Sequence, residues 1–164
     1  MSIVNLARCE PNPVENSSDL ARFVDAQAPV IEAVRAELAA GAKQSHWMWF
    51  VFPQLAGLGR SRTAEVFAIS GLEEARAYLA HPVLGPRLLD CSGLVKAVEG
   101  RTAREIFGSP DDLKFRSSMT LFAQAADDPG PFTGALAKYF AGQPDPATLR
   151  LLSVDRASPP PRGR

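Results

Sequence analysis

Acid–base chemistry in this sequence has few groups to draw on. There are two histidines, His46 and His81, and two cysteines, Cys9 and Cys91. No HExxH, Walker or ordered Ser–His–Asp pattern occurs, no CxxC is present, and a histidine-rich metal centre is excluded. Neither a metal nor a cofactor is expected. The titratable groups nearest the polar stretches are His46, Glu65, Asp111 and Lys114, so these are the candidate general acids and bases.

Three stretches carry side chains suited to holding a ligand. The first is "SHWMWFVFPQL", residues 45–55, which contains both tryptophans. Trp47 and Trp49 are two residues apart, so they point to opposite sides of a strand or lie about 200° apart on a helix. They cannot share one face: one ring anchors a core and the other is left for a neighbour. Gln54, just after Pro53, offers a neutral amide suited to a base or amide edge. The second stretch, "GLGRSRTAEV", puts Arg60 and Ser61 at a helix start, where backbone N–H groups and a guanidinium attract anions. Ordinary capping by Ser61 beside solvated arginines is the other reading of the same residues.

The third stretch is "DDLKFRSSMTLF". On a helical wheel, Phe115, Met119 and Phe122 share an apolar arc, whereas Arg116, Thr120 and Gln124 share another with Ser117 beside them. Lys114 and Ser118 form a third arc near Asp111. Short hydroxyls and an amide, in place of the usual Glu and Lys, fit a helix whose polar stripe faces protein groups or a ligand.

Together these parts describe a pocket for a nucleotide-like or other anionic small molecule. A Trp47 or Trp49 ring would stack, Gln54 would read an edge, and Arg60 or Arg116 would hold phosphate or carboxylate. The reaction most compatible with them is metal-free cleavage of an N-glycosidic bond, and whether the chain is an enzyme stays open. The alternative is a non-catalytic interaction or structural module, in which the aromatic and Ser/Thr-rich motifs are core packing.

Helical punctuation dominates the elements that must position these groups. "SSDLARFVDAQAPVIEAVRAELAAG" has a Ser18 or Asp19 cap, a break or kink at Pro29 and a terminal glycine at Gly41. Val30, Val34 and Leu38 recur every fourth residue. Ser70 with Glu73, and Thr102 with Glu105, have capping-box spacing. Ser109 reads as a cap with Pro110 at the first helical position. "PVLGPRLLDCSGLVKAVEG", "GPFTGALAKYFAG" and "DPATLRLL" read as further helices. Strict alternation is almost absent, and the β-like "WMWFVF" is too short to build a sheet. The expected fold is all-α, a compact single domain of seven or eight short helices over residues 18–152. A loose lead-in covers 1–17 and a disordered Pro-rich tail covers 153–164.

Bulk properties remove whole classes of function. With 18 Lys plus Arg against 18 Asp plus Glu, the formal net charge is zero, and a duplex nucleic-acid partner is not expected. No apolar run is long enough to span a bilayer, and the first residues do not read as a signal peptide. A cytoplasmic location with two free thiols fits, Cys91 serving as a small buried apolar group. Oligomeric state is left open.

The ordered motifs "SHWMWFVFPQLAGLGRS", "AYLAHPVLGPRL", "IFGSPDDLKFRSSMTLF" and "PDPATLRLL" closely resemble one bacterial family, the domain of unknown function 1810. The resemblance covers residues 19–152 and implies a small, mainly α-helical cytoplasmic protein. A much fainter similarity, carried by the aromatic segment, "HPVLGPRLL" and "GSPDDLKFRSSMTLF", is to the NADAR family of helical proteins acting on ADP-ribose-related N-glycosides. The tryptophan–glycine signature of that family is absent from this chain.

Overall fold

The computed structural model describes residues 19–157, with side chains described through residue 154. Cys9, Ser18, the lead-in 1–17 and the tail residues 158–164 lie outside the described residues. Ten α-helices form within it: α1 Ala21–Gln27, α2 Ile31–Ala39, α3 Met48–Val51, α4 Arg62–Val66, α5 Leu72–Ala80, α6 Leu84–Ala97, α7 Ala103–Phe107, α8 Asp111–Ala125, α9 Gly130–Phe140 and α10 Pro146–Ala157. The all-α class holds, but ten helices replace the expected seven or eight. Pro29 splits one segment into α1 and α2, and α3 and α4 are single turns too short to leave a periodic signature.

The stretch "WMWFVF", expected as β-like, instead turns once as α3 before Phe52 and Pro53 end it. Tertiary packing overrides local propensity there, because Trp47, Met48, Val51 and Phe52 are all drawn into the core. Among the described residues no strand forms, and a lone parallel bridge joins Leu55 to Ile69. The N–H of Ile69 donates to the Gln54 carbonyl at 2.9 Å, and that of Ala56 donates to the Ile69 carbonyl at 2.8 Å. This pairing fixes residues 54–56 against the segment between α4 and α5.

Helix ends follow the sequence signals in part. α2 closes with a Schellman arrangement: Gly41 takes φ +69°, its N–H donates to Leu38 O, and the Ala42 N–H donates to Glu37 O. The Thr102–Glu105 capping box is present at α7, which stops at Gly108. Three other expected caps do not form. Asp19 gives α1 no side-chain cap. The Ser70–Glu73 box is absent, because α5 starts later, at Leu72; the backbone N–H of Ser70 donates instead to Glu74. Ser109 does not cap α8: a cis peptide bond links it to Pro110, which stands outside the helix at the N-cap position. α10 continues to Ala157, past the expected boundary at residue 152.

One core runs through the described residues, with α8 at its centre, packed against α5, α7, α9 and α10. Its predicted apolar arc, Phe115, Met119 and Phe122, is fully buried. Phe115 stacks on Phe107 at 4.8 Å and meets Phe52 edge-on at 5.0 Å, geometries that aromatic quadrupoles favour. The α8 backbone is thereby held at a fixed distance from residues 52–55.

Candidate functional site

A shallow groove of about 340 Å³ lies between residues 54–59, the first two turns of α8 and the start of α10. Leu58, Pro110, Leu113 and Ala147 supply its apolar walls, whereas Gln54, Lys114, Ser117 and Asp145 supply the polar groups. Gly59 lines it as well, and a Cβ there would lie 2.4 Å from that of Ala64, so the close approach of this loop to α4 requires glycine.

The polar groups differ in how far they are committed. Asp145 precedes α10 and caps it: its Oδ2 accepts from the Thr148 N–H at 3.2 Å and from the Thr148 hydroxyl at 2.6 Å. The same oxygen lies 3.0 Å from the Ser117 hydroxyl, which has a second acceptor in the Leu113 carbonyl. Asp145 Oδ1 has no partner among the described residues. The Gln54 side-chain amide likewise has none. Lys114 lies over the Trp49 ring, 5.4 Å from its centroid, and 3.5 Å from Asp111 Oδ1. Asp111 in turn pairs with Lys43 at 3.0 Å. Lys43, unmarked in the sequence, is almost fully covered and sits 5.1 Å from the Trp47 ring centroid.

Of the residues nominated from sequence, Gln54, Lys114 and Ser117 line the groove. Trp49 and Asp111 flank it through Lys114. Arg60 and Ser61 follow Gly59 as exposed residues, Ser61 acting as an ordinary cap that accepts from the Ala64 N–H. Arg116 and Thr120 are committed to the connection between α9 and α10. The Arg116 guanidinium donates to the carbonyls of Gln143 at 3.0 Å and Pro144 at 3.1 Å, and Thr120 Oγ1 accepts from the Asp145 N–H at 2.8 Å. His46 and Glu65 are exposed and do not line the groove.

The two tryptophans divide as their spacing requires. Trp47 is 1% exposed, and its indole N–H donates to Glu37 Oε2 at 2.6 Å. Trp49 is only partly covered. Burial pushes the Glu37 carboxyl upward, but hydrogen bonds from the Ser45 hydroxyl, the Trp47 indole and the backbone N–H groups of Gln44 and Ser45 outweigh it, leaving the group below its ordinary value. Cys91 is buried in α6, and burial pushes its thiol up to about 12, which leaves it unreactive. Among the described residues no cluster of His, Cys, Asp or Glu forms a metal site, and no helix is long and apolar enough to cross a membrane.

Sequence inspection missed Asp145, although "PDPATL" carries an N-cap aspartate followed by proline at the first helical position, a readable helix start. It also missed Glu37, for which no local signal exists. These features describe a small all-α protein with a shallow, mainly apolar groove, carrying a few polar groups, on the flank of its central helix. The chain belongs to the family described as Protein of unknown function (DUF1810), whose model matches residues 17–152. It is similar to the crystal structure of the conserved hypothetical protein Rv1873 from Mycobacterium tuberculosis. The two share 60% identity and a TM-score of 0.81 over 82% of this chain and 96% of that one. No curated protein matches the chain.

Proposed function

We propose that this protein binds a small molecule in the groove between residues 54–59 and α8, through one anionic group of the ligand at Lys114 and a planar hydrogen-bonding edge at Gln54. The observation that carries this reading is the convergence of Gln54 with Lys114 and Ser117, some sixty positions later in the chain, on one concavity where the Gln54 amide has no partner among the described residues. Apolar walls beside a few placed polar groups are the usual composition of a ligand site. A single ammonium, partly shared with Asp111, suits one carboxylate or one phosphate better than a chain of phosphates. A nucleotide-like ligand therefore fits as a nucleoside or monophosphate.

These groups support binding rather than bond cleavage. Of the acids and bases nominated from sequence, Glu65 and His46 stand outside the groove and Asp111 is paired with two lysines, so none of these three faces a bound N-glycoside. A second reading has a specific observation behind it. Arg116 and Thr120, nominated as ligand residues, hold the α9–α10 connection to α8, as a structural module would require. The two readings divide the α8 stripe: its Lys114–Ser117 edge serves the groove and its Arg116–Thr120 edge serves the fold.

A thermal-shift screen of nucleosides, nucleoside monophosphates, ADP-ribose, NAD, sugar phosphates and amino acids tests the proposal. A ligand at a hundred times its Kd stabilises the native state by about 2.7 kcal/mol. That corresponds to roughly 5–10 °C in Tm for a chain of this size. The shift should vanish in Lys114→Gln. A flat response across the panel would overturn the proposal.

A further inference from the structure

Lys114 and Asp145 line the same groove with opposite charges, yet they do not pair with one another. Lys114 reaches back to Asp111, and Asp145 uses only Oδ2, on its own helix and on Ser117. Ser117, hydrogen-bonded to Asp145, stands one turn along α8 from Lys114, an axial offset of roughly 4.5 Å. Opposite charges that line one cleft without pairing with each other leave a gap that a molecule bearing both signs can close. We infer that the natural ligand of the groove is a small zwitterion, a free amino acid with an apolar side chain. Its carboxylate is held by the Lys114 ammonium, its ammonium by Asp145 Oδ1, and its side chain lies against Leu58, Pro110, Leu113 and Ala147.

The inference rests on the binding reading above and narrows it. The Gln54 amide, with no partner among the described residues on its donor or acceptor side, supplies the remaining contact to either end of such a ligand. A polyanion is disfavoured on the same grounds, because the Asp145 carboxylate repels it and Arg116, the nearest guanidinium on α8, is held by two carbonyls.

The test is calorimetric titration of the intact chain with L-leucine, N-acetyl-L-leucine, L-leucinamide and AMP. L-leucine should bind, and blocking either its ammonium or its carboxylate should weaken binding at least tenfold. In Asp145→Asn, affinity for L-leucine should fall tenfold or more while any residual affinity for N-acetyl-L-leucine is unchanged. Asparagine caps helices as well as aspartate does, so α10 should stay in place, as an unchanged Tm would verify. If N-acetyl-L-leucine binds as well as L-leucine, or AMP binds and L-leucine does not, the zwitterion assignment is overturned while the groove remains a binding site. If none of the four binds, both fall. Should Asp145→Asn unfold, the wild-type comparison of the three leucine derivatives decides the question alone.

Discussion

Replacing Arg116 with alanine separates a binding role from a structural one, and the structure dictates the outcome. Its Nε and Nη2 donate to the carbonyls of Gln143 and Pro144, and the guanidinium lies 5.7 Å from the Phe140 ring centroid. Hydrogen bonds from a charged donor contribute about 1.5–3 kcal/mol each. Both carbonyls lie near the surface and water replaces part of what is lost, so the net cost should be close to about 2 kcal/mol. For a chain of this length that lowers Tm by roughly 4–8 °C. Urea denaturation should show a lower midpoint with an unchanged slope, since the folded and unfolded surfaces are little altered. Arg116→Lys should recover less than half of the loss, because one ammonium cannot span two carbonyls in the planar geometry of the fork. A ligand of the groove should bind the alanine variant with affinity within about threefold of wild type. An unchanged Tm combined with abolished binding would refute the structural assignment and return Arg116 to the site.

Other outcomes follow from the same geometry. The Glu37 carboxylate lies below its ordinary value in the folded state, so its stabilising effect is complete above the unfolded value near 4.3 and is lost as pH falls through the folded value. The Tm difference between wild type and Glu37→Gln should therefore be largest at neutral pH and shrink on acidification below about pH 4, as melting curves across pH would show. On α6, a Cβ added at Gly85 would lie 2.1 Å from the Leu79 carbonyl oxygen, whereas one at Gly93 meets nothing within 4 Å. Gly85→Ala should destabilise by more than about 2 kcal/mol, and Gly93→Ala should stabilise by about 0.5–1 kcal/mol, a difference of sign on a single helix that urea midpoints would resolve. In a Cys9→Ser variant the remaining thiol, Cys91, should resist an aromatic disulfide reagent until the protein is unfolded, since it is buried with its pKa pushed up to about 12.

The all-α class and most helix positions were legible because they rest on local physics. Proline at 29, the glycine after α2, the Thr102–Glu105 box and the repeat of Phe115, Met119 and Phe122 act within a few residues of themselves. That Trp47 and Trp49 cannot share one face follows from their two-residue spacing. Several caps failed because capping depends on where a helix begins. That point lies one or two residues later than the spacing implies, at Leu72 for α5 and at Asp111 for α8.

What only tertiary structure decided is which polar groups are free. Lys114 and Arg116 sit two residues apart on α8 and fall on different arcs of the wheel, which does not say what each arc meets: Arg116 meets the carbonyls after α9, and Lys114 faces an open groove. Asp145 entered the site because the start of α10 packs beside Ser117. Glu37 became the partner of Trp47 because the turn after α2 folds back on it. Spacing along a helix determines which direction a side chain faces. Whether it meets a partner or an opening there depends on segments far away in sequence, and their placement is settled only when the whole core packs.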